Sequence, residues 1–133
     1  MISLPPQIRD AIVAHARFCA PNEACGLLAA DEQGCLRMAY CLTNVDFSPR
    51  RFTVDPTEHY NAMRHAERHG WSIVGSFHSH PAALAVPSAT DVARALDPEW
   101  WYLVAGPLPE PDVRAYRIVD GSVTEVPIDV RDG

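Results

Sequence analysis

One stretch constrains the fold more than any other. Residues 74–96 read as a strand, a tight loop and the opening turns of a helix, with chemistry at fixed offsets. His78, Ser79 and His80 stand together, seven residues intervene before Ser88, and two more before Asp91. Strand side chains alternate, so His78 and His80 share one face, and Trp71, Ile73 and Phe77 are expected on the opposite, apolar face. Beyond Ser88, the residues Val92, Ala95 and Leu96 have helical apolar spacing, which puts Ser88 and Asp91 at a helix start. A strand running into a helix start in this way fits a mixed sheet flanked by helices.

Two neutral imidazoles and one carboxylate suit catalytic zinc, which keeps a fourth position for water; structural zinc is usually closed by four Cys and His ligands. Each half of the pattern has a simpler explanation. A lone His-x-His is a common surface match, and Ser-x-x-Asp at a helix start is a capping arrangement in its own right. At this chain's own residue frequencies the full four-residue spacing is expected by chance in roughly one sequence per thousand of this length. Only the joint pattern is therefore informative.

Upstream, Pro5-Pro6 open a helix with apolar positions Ile8, Ala11, Ile12, Ala16 and Cys19, closed by Pro21-Asn22. Glu23 then leads into the apolar run 24–30, short enough for a buried strand; taken alone, this Glu is a solvated carboxylate at a strand entry. Residues 31–34 form a turn, and Leu36, Met38, Tyr40 and Leu42 alternate as a strand. The polar stretch 43–51 is irregular, Phe52 and Val54 restart a brief strand, and a helix follows from Pro56 to about Arg68, closed by Gly70. After the central stretch Pro98 breaks the helix, and 100–105 read as a buried strand with one tryptophan facing each side. Two further strands flank the hairpin turn Asp120-Gly121. A single domain over residues 1–133 is expected.

At these residues the chain resembles the JAMM (MPN+) metallopeptidases, whose pattern is an upstream Glu, then His-x-His, seven residues, Ser, two residues and Asp. Glu23, His78, His80, Ser88 and Asp91 fill every position. The similarity runs over nearly the whole chain. It is strong toward the short bacterial subgroup acting on ubiquitin-like sulfur-carrier proteins, through Glu23-Ala24-Cys25-Gly26-Leu27-Leu28, the stretch 44–52 and Tyr116-Arg117-Ile118-Val119-Asp120-Gly121. The resemblance implies the three-layer α/β MPN fold, laid out like the cytidine deaminases, with a mixed β-sheet between helices. It further implies one Zn²⁺ per chain held by His78, His80 and Asp91, with a catalytic water in the fourth place. Glu23 is then the base toward that water and the acid toward the leaving amine, and Ser88 the donor to the tetrahedral oxygen. Cys25 would pack behind the site.

The substrate so implied is a ubiquitin-like sulfur carrier with a Gly-Gly tail, glycines admitting an extended tail into a narrow groove, and cysteine as the group released. An isopeptidase removing a ubiquitin-like modifier from lysine is the alternative. The loop 81–87 is short and lacks the Cys and Trp associated with eukaryotic deubiquitinases of the family, which favours the small carrier. A non-catalytic scaffold, common among MPN relatives, would lack the ligands this chain keeps. A cell-wall or phage-tail amidase would be expected beside a companion domain or an export signal.

Other classes are excluded more simply. Eleven basic against 17 acidic residues leave a net charge of −6 and no Lys/Arg run, so nucleic acid is not an expected partner. No signal peptide and no run of about 18 apolar residues is present, and a soluble cytoplasmic protein is expected. Cys19, Cys25, Cys35 and Cys41 form no C-x-x-C pair, and most are expected as small buried side chains. His65 and His69, with Glu67 between them, are a rival metal pair on one helix face, but His-x-Glu-x-His is not His-Glu-x-x-His and a solvated face is expected. No cysteine follows Cys41 to complete a zinc deaminase site. Arg50 or Arg51 is a candidate for a substrate carboxylate, although exposed arginines are seldom so specific. Self-association as a homodimer is left open by the sequence.

Overall fold

The computed structural model describes residues 1–131. In chain order the elements are β1 (Ile2–Leu4), α1 (Pro6–Cys19), β2 (Cys25–Ala30), β3 (Leu36–Leu42), α2 (Pro56–Arg68), β4 (Ser72–Ser79), α3 (Ala89–Arg94), β5 (Trp101–Gly106), β6 (Asp112–Val119), β7 (Ser122–Val126) and β8 (Ile128–Val130). Six strands form a sheet in the order β3-β2-β4-β5-β6-β7. Within this sheet only β4 and β5 run parallel. A parallel pair needs a crossover, and the crossover here carries residues 80–100, including α3.

Alternation along the strands separates two cores. Leu28, Phe77, Leu103 and Ala105 pack with Ile8 and Ile12 of α1 on one face of the sheet. Leu27 and Leu42 pack with Ala62 of α2 on the other. This is the three-layer α/β arrangement expected from the sequence. Both long helices start as their residues dictate: proline stands in the first turn of each, and the Asp55 carboxylate accepts from the backbone N–H of Thr57 and Glu58.

A bulge in β4 overturns one expectation. Leu28 pairs with Gly75 but the next residue, Ala29, pairs with Ile73, leaving Val74 as an extra residue. One inserted residue reverses the alternation. Val74 therefore packs on the α1 side and Ile73 on the α2 side, opposite to Phe77. Beyond the bulge the pleat is regular, and Ser76 and His78 face α2 and α3. At the far end of β5, Gly106 admits the loop that follows β4: a Cβ there would lie 2.5 Å from the carbonyl oxygen of His80 and 2.7 Å from that of Ala83.

Four smaller differences have local causes. Residues 52–54 make a single bridge, Asn44 to Val54, rather than a strand. α3 ends at Arg94 with Ala95 as its cap, so Leu96 lies past the helix and is 88% exposed instead of packed. The hairpin at Asp120-Gly121 forms as expected, both residues having positive φ, but Pro127 interrupts its second strand. The remainder, β8, pairs in parallel with β1, a two-stranded sheet that the sequence pattern does not reveal. Of the four cysteines only Cys25 is buried; Cys41 is exposed on edge strand β3.

The two tryptophans divide as expected. Trp101 packs on the α1 side under the Arg117 guanidinium, 3.4 Å above its ring, and Trp100 packs on the α2 side. Among the described residues, no helix is long and apolar enough to cross a membrane.

Candidate metal centre

His78 is the penultimate residue of β4 and His80 lies just past its end, with the His80 N–H donating to the Ala105 carbonyl at 2.8 Å. Asp91 approaches from α3. Its Oδ2 is 2.9 Å from His78 Nε2 and 3.1 Å from His80 Nε2, and the two Nε2 atoms are 3.2 Å apart. Asp91 is placed by the helix cap: Ser88 Oγ accepts from the Asp91 N–H at 3.1 Å while Asp91 Oδ2 accepts from the Ser88 N–H at 2.8 Å. The capping reading of Ser88 is thus realised. The same hydroxyl keeps its own O–H as a free donor, since accepting uses only a lone pair.

The donor set fits a divalent cation. His80 Nδ1 lies 2.9 Å from the Leu84 carbonyl, to which it donates, so in the neutral ring Nε2 presents a lone pair. That lone pair faces a carboxylate oxygen, an arrangement that requires a positive charge between or upon the two groups. Burial lowers the pKa of His78 despite its bond to Asp91, favouring the neutral ring a metal needs. Burial opposes charge on His80 too, but Asp91, the Leu84 carbonyl and Glu23 outweigh it and raise that pKa. Burial would likewise raise Asp91, yet its bonds to both imidazoles hold its carboxyl well below the usual range. Among the described residues, His78, His80 and Asp91 are the one group of three or more His, Cys, Asp or Glu whose ligand atoms all lie within 4.8 Å of one another.

Glu23 reaches this group from the chain that enters β2. Its Oε2 is 4.0 Å from His80 Nε2. Its Oε1 is the one buried side-chain nitrogen or oxygen among the described residues that has no hydrogen-bond partner. Burial raises its pKa to about 7, with His80 opposing and Asp91 adding to the shift. The backbone here is held from both sides. The Glu23 N–H donates to the Ser48 carbonyl at 2.8 Å, and its own carbonyl accepts from Asn44 Nδ2 at 3.1 Å.

A family model described as prokaryotic homologs of the JAB domain matches residues 5–119. The chain belongs to this family. Within the prokaryotic JAB group it is 39% identical to the CysO-cysteine peptidase of Mycobacterium tuberculosis over 125 residues, 91% of this chain and 85% of that one. It is also 39% identical, over the shorter span of 112 residues, to the desampylase of Haloferax volcanii, covering 80% of this chain and 81% of that one. A solution structure of the protein DSY2949 from Desulfitobacterium hafniense superposes with a TM-score of 0.89 at 37% identity, over 100% of this chain and 94% of that one. This JAB chain is a hydrolase.

The structure brings together all five residues singled out from the sequence. It does not bring in the others. His65 and His69 form an aromatic stack, centroids 4.2 Å apart, continued by Trp71, with His65 Nδ1 2.6 Å from the Tyr40 hydroxyl; His65 is half-buried by these contacts, while His69 and Glu67 stay exposed on the solvated face expected. Arg51 is 3.7 Å from Asp46, and Arg50 is exposed.

Three contributors escaped sequence reasoning. Phe52 stacks on His78 at 4.7 Å. Arg94 donates to the Phe52 carbonyl and ties that ring to α3. Asn44 is buried and its amide makes four hydrogen bonds, to the carbonyls of Glu23 and Arg51 and from the N–H groups of Asp46 and Thr53. Asn44 and Phe52 entered the sequence reading only as the ends of the stretch 44–52 that carries the family resemblance, with no role attached to either.

Proposed function

We propose that the chain is a zinc-dependent amide hydrolase that cleaves after the C-terminal Gly-Gly of a small ubiquitin-like sulfur-carrier protein, releasing cysteine in the cytoplasm. The observation that carries this is the convergence of His78, His80 and Asp91 on one point, with the unpartnered carboxylate oxygen of Glu23 beside it. The name of the mycobacterial relative supports the carrier and the leaving group.

His78, His80 and Asp91 would hold the ion. Bound there, zinc supplies Lewis acidity toward water and the scissile carbonyl. Glu23 takes a proton from the attacking water and gives it to the departing amine; a carboxyl whose burial lifts it to about 7 can do both near neutral pH. The Ser88 hydroxyl donates to the carbonyl oxygen as negative charge develops there, and the cap at Asp91 N holds that hydroxyl in place. The sheet supplies rigidity: β4 and β5 fix His80 while α3 fixes Asp91.

The desampylase, matched at the same 39% identity over a shorter span, supports a second reading, an isopeptidase that removes a ubiquitin-like modifier from lysine. A direct comparison decides between them. The zinc-loaded enzyme is incubated with a Gly-Gly carrier bearing a C-terminal cysteine and with the same carrier linked to a lysine side chain, and the products are weighed by mass spectrometry. Faster loss of the cysteine supports the carrier reading; preference for the lysine conjugate replaces it with the isopeptidase.

A further inference from the structure

Beside the candidate metal centre a cleft of about 270 Å³ opens under α3. His78 and Asp91 form one wall, and Leu27, Val54, Trp100 and Val104 make much of the rest. We propose that this cleft receives the side chain of an α-amino acid released by the enzyme, and that Arg94 binds the carboxylate of that amino acid.

Resting on the Gly-Gly reading above, the assignment begins with what the acyl side of the substrate lacks. Two glycines have no side chains, so an apolar cleft touching the metal ligands has nothing to hold from that side of the scissile bond. The substituent on the leaving nitrogen is the group left to fill it. Arg94 stands at the cleft wall three residues beyond Asp91, the spacing that puts two side chains on one helix face about 5–6 Å apart. In an α-amino acid the carboxylate is two bonds from the leaving nitrogen, so a group cleaved beside Asp91 carries its negative charge into reach of this guanidinium.

The charges in the cleft agree. Asp91 is engaged by both imidazoles and by the Ser88 N–H, and Asp97 accepts from the Glu99 N–H. Arg94 forms no ion pair among the described residues. Its one hydrogen bond goes to the Phe52 carbonyl, which orients the guanidinium and leaves further N–H donors for a carboxylate. Arg50 and Arg51, the candidates the sequence offered for a substrate carboxylate, do not line the cleft.

The test uses zinc-loaded enzyme and two carrier conjugates differing only in charge, one ending in cysteine and one in cysteinamide. Wild type is expected to cleave the acid about tenfold to a hundredfold better in kcat/KM, the worth of hydrogen bonds to a charged group. Arg94→Gln, which retains a donor for Phe52, is expected to lose that preference. Ser76→Leu, which fills the floor of the cleft, is expected to raise KM for the cysteine conjugate more than it lowers kcat. Equal rates for the two conjugates with wild type, or a preference kept by Arg94→Gln, would overturn the subsite while leaving the carrier reading intact. Failure of wild type to cleave either conjugate would remove both.

Discussion

Glu23 Oε2 lies 4.0 Å from His80 Nε2, while the other oxygen of the same carboxylate has no partner although the residue is 3% exposed. A buried acceptor left unsatisfied is costly, and such a position is retained where a proton or a substrate group is to be met there.

The cost is visible in the pH dependence of the metal-free protein. Glu23 titrates near 7 in the folded chain against an ordinary value of 4.5. Between these values the folded state keeps a proton that the unfolded state has lost, so this group's contribution to stability falls as pH rises from about 4.5 through 7. Glu23→Gln removes that dependence. Thermal melts of the metal-free proteins should coincide near pH 4.5, and at pH 8 the variant should be more stable by about 1–2 kcal/mol once solvent screening is allowed for. Parallel pH profiles would refute the shift. Asp91 acts in the opposite sense: its depressed pKa adds stability above 3.8 that is lost in more acidic solution.

Ser88 has two roles that substitution can separate. Ser88→Ala loses the cap, at about 1 kcal/mol, and the donor, at about 10²–10³ in kcat. Ser88→Gly costs only a few tenths of a kcal/mol as a cap, yet it should lose turnover as severely as Ala. A glycine variant as active as wild type would leave capping as the sole role.

Asn44→Ala strips partners from two carbonyls and two N–H groups around Glu23. We expect a loss of about 2–4 kcal/mol and a fall in turnover with zinc content unchanged. Denaturant melts beside metal analysis check both, and a stability within 0.5 kcal/mol of wild type, about the effect of an ordinary surface change, would contradict the hub.

The cysteines should react in the order of their burial. Burial pushes the Cys25 thiol up to about 12, so at pH 8 it is protonated as well as inaccessible. Iodoacetamide on native protein should label exposed Cys41 first and reach Cys25 only in denaturant; peptide mapping reads this directly, and native labelling of Cys25 would place that residue wrongly.

The residues of the candidate site were legible in the sequence because zinc ligation and capping each demand particular side chains at particular spacings, and the spacing of His78, His80, Ser88 and Asp91 is compatible with both at once. The α/β layering followed from the short apolar run of β2, alternation in β3 and helical spacing in α1. What stayed hidden was set by single tertiary events. The bulge at Val74 swaps Ile73 to the other face without any local residue signal. Leu96 has the right spacing for a helix that ends two residues too soon. Asn44, Phe52 and Arg94 matter through backbone carbonyls and ring stacking, which no side-chain pattern encodes.

The central claim is that one set of residues holds the ion and another, Glu23, moves the proton. It is tested most directly by measuring zinc stoichiometry and cleavage of a carrier–cysteine conjugate, by mass spectrometry, in wild type and Glu23→Gln side by side. One zinc per chain in both proteins is expected, with loss of one cysteine residue's mass in wild type and at least a hundredfold slower loss in the variant. Undiminished cleavage by Glu23→Gln, or no zinc retained by either protein, would contradict it.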